Sequence, residues 1–102
     1  MIEPKLQIVV YKADEWWIIR GLDREFVTVT RTLEEVPGEI RRFLDVLMAA
    51  SQQTGVEPFY GYSPAPRRYW EMYERAQPWT VAFPPVPEDL GPGPVLDTRL
   101  AA

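Results

Sequence analysis

The chain has 102 residues, a formal net charge of -4 and neither cysteine nor histidine. A chain of this size forms one core and buries roughly two thirds of its unfolded surface. The missing residue types exclude disulfides, thiolate zinc sites and histidine bases, which leaves catalysis to carboxylates, Lys, Tyr, Ser or Thr.

The acidic balance disfavours a polyanionic partner, whose capture depends on many Lys and Arg releasing counterions. A protein or cationic partner is expected, nucleic acid is not, and no cofactor or metal is implied. Without cysteine a reducing cytoplasm is the easier home. No apolar run reaches the length of about 18 to 20 residues that spans a bilayer, and Met1-Ile2-Glu3-Pro4 lacks the basic and apolar regions of a signal peptide.

In chain order, Leu6 to Tyr11 and Trp16 to Arg20 are rich in β-branched and aromatic residues and read as strands. Lys12-Ala13-Asp14-Glu15 and Gly21-Leu22-Asp23-Arg24 are short polar links, so a third strand, Phe26 to Thr30, completes an antiparallel meander. Leu6, Ile8 and Val10 alternate with Val9 and Tyr11, and Trp16 and Ile18 with Trp17 and Ile19. Apolar groups on both faces demand cover on both sides.

The third strand runs into Thr32-Leu33-Glu34-Glu35, with the spacing of a capping box. Ile40, Phe43, Leu44, Leu47 and Met48 then mark one buried helix face. Pro37 removes an amide and disfavours helical geometry at Val36, so the helix either kinks there or, after a short first turn that breaks, begins with Pro37 at its first position. Gly55 is the expected stop. A shorter helix is predicted from Pro66 to Ala76, with Tyr69, Trp70, Met72 and Tyr73 on it and Pro78 ending it. Trp79 to Phe83 alternates as a late strand. From Pro84 onward, Pro-Pro-Val-Pro and Gly-Pro-Gly-Pro predict an extended arm. The expected division is therefore a domain over residues 1–83 and a Pro/Gly-rich tail over 84–102, which serves binding more than folding.

Three meander strands, a long helix and a late strand, with Phe26-Val27-Thr28 six residues ahead of Thr32-Leu33-Glu34-Glu35-Val36, resemble the HicB-type antitoxin fold, a partial ribonuclease-H-like ββαβ unit. The resemblance spans roughly residues 5 to 54. Nothing after Phe83 looks like the DNA-binding segment that many members carry. The resemblance implies an α+β fold and a protein that binds rather than cleaves.

Asp14, Glu15, Asp23, Glu25 and Asp45 are the candidates for a ribonuclease-H-like metal cluster. Most fall in turns or at strand ends, where carboxylates serve solvation and turn geometry, and that is the stronger reading. The four tryptophans and five tyrosines with Arg20, Arg67 and Arg68 suggest base stacking, but core packing accounts for most of them. The rest fit a protein interface, where Trp, Tyr and Arg are the usual anchors. Arg41-Arg42 and Arg67-Arg68 read as solvated helix pairs.

The sequence thus points to a non-enzymatic protein–protein interaction module of the antitoxin or inhibitor type. It would occlude or join a partner surface, or self-associate as a homo-oligomer, with Trp16, Trp17, Arg20, Trp70, Leu90 and Leu96 as contact residues. A structural subunit of a phage particle or other assembly is the first alternative, and a small metal-dependent hydrolase the second.

Overall fold

The computed structural model describes residues 5–79 and 95–101. The chain is an α+β protein in which two helices lie against a five-stranded mixed sheet. Strands β1 (Lys5–Ala13), β2 (Trp16–Gly21) and β3 (Val27–Thr30) form the expected antiparallel meander, with Val10 opposite Ile19 and Ile18 opposite Val29. The link between β1 and β2 is Asp14-Glu15, and Asp14 takes φ 56°, a left-handed conformation that Asp tolerates and that tight hairpins use.

Helix formation after β3 follows the capping signal. The Glu35 carboxylate accepts the Thr32 amide at 3.2 Å and the Thr32 hydroxyl at 2.8 Å. A single 3-10 turn, Leu33–Glu35, leads into α1 (Val36–Thr54). Pro37 sits in the first turn of α1, where its missing amide has no helical partner to lose. Gly55 closes the helix at φ 74°, its amide donating to the Ser51 carbonyl at 2.9 Å, a left-handed cap that glycine adopts without a Cβ penalty.

Strand alternation gives the molecule two cores. Leu6, Ile8, Val10 and Ile19 pack with Phe26, Val36, Ile40, Leu44 and Phe59 beneath α1, and Trp17, Phe43 and Leu47 close the margin. Met48, the last residue of the predicted stripe, is exposed; the buried face of α1 ends one turn earlier. Val9 and Leu22 pack with Ala65 and Tyr73 on the opposite face, joined by Tyr11, Tyr69, Trp70 and Met72. That second core belongs to α2 (Arg67–Arg75). The linker between the helices therefore moves from one core to the other between Phe59 and Ala65. It is tied down by the Glu25 amide on the Ser63 carbonyl and the Ala65 amide on the Leu22 carbonyl, both at 2.7 Å.

The C-terminal part bears on two expectations. A two-residue strand, β4 (Gln77–Pro78), stands just after α2, and the strand expected over 79–83 lies, beyond Trp79, outside the described residues. The Trp79 amide donates to the Thr98 carbonyl at 2.9 Å. Pro78 belongs to this edge strand, where a proline costs no ladder bond. Val95–Leu100 is extended as expected, but it is β5, a strand within the sheet and not an arm beside it. The order is β3-β2-β1-β5-β4, with β5 parallel to β1 and antiparallel to β4. A boundary after residue 83 would thus cut through one sheet.

Candidate protein-docking surface

Alternation sends Trp16 and Trp17 to opposite faces. Trp17 packs at the margin of the α1-side core, with the Lys12 ammonium 5.8 Å from its ring centroid. Trp16 faces the α2 side, is 38% exposed, and has the Arg31 guanidinium 4.7 Å from its ring centroid.

Arg20 is held inside the molecule. Its guanidinium lies 3.8 Å from the centroid of Tyr69 on α2, its Nε donates to the Tyr11 hydroxyl at 3.2 Å, and its Nη1 donates to Glu25 at 2.8 Å. Burial pulls its pKa down, but the bonds to Tyr11 and Glu25 outweigh that and leave it above the ordinary arginine value. One turn along α2, Arg99 of β5 lies 4.0 Å from the Tyr73 centroid. Its Nη1 donates to the Tyr73 carbonyl at 3.2 Å, placing a cation at the negative end of the helix. The two arginines and two tyrosines pin α2 over β1 and β5.

Trp70 packs into this second core, its indole N–H donating to the Ala65 carbonyl at 3.2 Å. Leu96 lies in β5 with its backbone opposite Leu6, and Leu90 lies outside the described residues. With Trp16 and Trp17 on opposite faces, the six sequence-derived contact residues do not share one surface, and among those whose side chains are described Trp16 is the exposed one.

A different set converges around Trp16. Ile18 shares its face, and Val27 and Val29 on β3, paired with Arg20 and Ile18, extend it. Val27 is 48% and Val29 42% exposed. Their neighbours Thr28 and Thr30 turn to the other face, where the Thr28 hydroxyl donates to Glu39 of α1. Helix α2 packs mainly on β1 and reaches β2 through the Tyr69–Arg20 contact, so Trp16, Val27 and Val29, with half-buried Ile18 among them, form an exposed apolar strip, with Arg31 over Trp16 at one end.

The acidic residues are dispersed and engaged elsewhere. Asp14 and Glu15 form the first turn. Asp23 accepts the Gln7 amide at 3.2 Å, Glu25 holds Arg20, and Asp45 pairs with Arg41 at 3.0 Å. Among the described residues no group of three or more Asp and Glu is placed to hold a metal ion, and no helix is long and apolar enough to cross a membrane. Comparison of the chain with protein-family models, curated proteins and solved structures gave no match.

Proposed function

We propose that the protein is a non-enzymatic protein–protein interaction module, of the antitoxin or inhibitor type that the HicB-like resemblance implies, which works by covering or joining a partner's surface. The observation that carries this reading is the exposed strip of Trp16, Val27 and Val29 with Ile18 among them. Burying apolar surface is favourable by about 25 cal/mol per Å², and contiguous exposed apolar groups mark interaction sites. Trp16 with Arg31 at its rim supplies the aromatic and cationic anchor common at interface centres. Trp17, Arg20 and Trp70 act from behind, by holding the sheet and α2 in place.

The test is capture from the native host by the tagged full chain, with partners identified by mass spectrometry. A stoichiometric protein partner retained by the wild type and lost by Val29→Asp, with an unchanged circular dichroism spectrum, is expected. Equal capture by both proteins would place the working surface elsewhere.

A further inference from the structure

The two edges of the sheet are built differently. At one edge β4 is two residues long and contains Pro78, both of which blunt an edge against pairing with another chain. At the other, β3 reads Val27-Thr28-Val29-Thr30, with no proline, no charge and high β-propensity. Among the described residues no strand pairs with its outer side. An unprotected edge of this kind is a template for strand addition.

The flanking charges indicate what it pairs with. Glu25 lies three residues before Thr28 and Arg31 three residues after it. In an antiparallel pair centred on Thr28, Val27 faces Val29 of the other strand, and Glu25 faces Arg31, twice over by symmetry. Val27 and Val29 lie on the face that carries Trp16 and Ile18 by strand parity, and Glu25 and Arg31, just outside β3, reach that face through their contacts with Arg20 and Trp16. Directly opposed β-branched pairs and opposite charges are the contacts that stabilise antiparallel neighbours. The Val-Thr-Val-Thr segment is therefore complementary to itself.

We propose that a second copy of this chain docks on β3, joining the two sheets edge to edge about a two-fold axis through Thr28. This rests on the reading of the β2–β3 side as the docking surface and names its occupant. The apolar strips of the two copies then merge into one continuous surface on the α2 side of a ten-stranded sheet. Such an isologous contact closes after two subunits, so it yields a dimer and not a filament.

The absence of cysteine makes the register directly testable. Disulfides form only between residues whose Cα atoms lie within about 7 Å, which in this register admits Val27 with Val29 of the other copy and disfavours either with itself. Full-length Val27→Cys and Val29→Cys proteins are mixed and oxidised, and sedimentation equilibrium is run on the wild type. A wild-type dimer is expected, together with cross-linked heterodimers in the mixture at about tenfold the yield of either protein alone. Arg31→Glu, which sets like charges opposite Glu25 at two symmetric places, should weaken the dimer about tenfold, the equivalent of two opposed pairs of roughly 0.7 kcal/mol each. A wild type that stays monomeric up to about 100 µM, a free energy of association weaker than about -5.5 kcal/mol, would overturn self-pairing. So would equal cross-linking of each cysteine protein alone. A monomer whose partner capture is still abolished by Val29→Asp would overturn this inference while leaving the docking surface intact.

Discussion

The guanidinium of Arg20 on β2 lies over the ring of Tyr69 on α2, 3.8 Å from its centroid, and at the same time bonds Tyr11 and Glu25. Lysine offers a point charge without the planar fork that makes these three contacts together. Arg20→Lys is therefore expected to cost about 1 to 2 kcal/mol. At about 4 to 8 °C per kcal/mol for a domain of this size, the loss is readily measured by thermal denaturation. A double-mutant cycle with Tyr69→Leu should return a coupling of at least about 0.5 kcal/mol; additive effects would mean that the stacking contributes nothing.

Gly21 is required by a close approach. A Cβ placed there would come within 2.4 Å of the Phe26 ring and 2.8 Å of the Arg24 carbonyl oxygen. Phe26 is itself wedged against Phe43 at 4.4 Å between centroids, so the ring has little room to retreat. Gly21→Ala should destabilise by about 1 to 3 kcal/mol, the range for overpacking a core. A denaturant midpoint equal to that of the wild type would contradict this.

Glu39 supplies an acid-sensitive link between helix and sheet. Its carboxylate accepts from Arg42, at 2.6 Å from Nη2, and from the Thr28 hydroxyl. The Arg42 bond, opposed by burial and aided by Thr28, lowers its pKa below the ordinary glutamate value. The unfolded chain therefore binds this proton more readily, and stability rises with pH across the window. The contribution is complete above the ordinary glutamate range of about 4 to 5 and fades as pH falls through the lowered folded value. Glu39→Gln should be less stable than the wild type at pH 7 and should lose less on acidification, as followed by urea denaturation at stepped pH. Parallel pH profiles for the two proteins would refute the link.

Ending the chain at Phe83 should abolish cooperative folding at room temperature. Strand β5 covers one side of β1 through six paired residues, and Leu6, Ile8, Val9 and Val10 of β1 are fully buried. Burial of each such side chain is worth about 1.5 to 3 kcal/mol, against a total stability of about 5 to 15 kcal/mol for a typical domain. A truncated chain that melts cooperatively near the wild-type temperature would show that β5 is dispensable.

The meander, the capped helix, the glycine stop and the second helix were legible because each rests on a local pattern: alternation, Thr32 with Glu35, the Ile40 stripe, and Tyr69 with Tyr73. Strand β5 was missed for a local reason too. Leu96, Thr98 and Leu100 alternate with Asp97 and Arg99 as a strand should, but the Gly-Pro-Gly-Pro run just before them dominated the reading. The contact residues were harder, because exposure depends on which strands neighbour one another. Arg20 looked available until Tyr11, Tyr69 and Glu25 closed around it. The exposure of Val27 and Val29 follows from β3 being the edge and from α2 packing mainly on β1, neither of which a local pattern shows.

The pairing of Lys5 with Val95 joins residues ninety positions apart, and it places the earliest strand in direct register with the last. Local contacts can form the meander and α1 while synthesis is still in progress. The β5 side of β1 must wait, with its backbone unpaired and its buried valines unprotected, until residue 100 has left the ribosome. Because loops this long close slowly and late strands leave edges open, the time of greatest risk for this protein is the interval between making β1 and receiving β5.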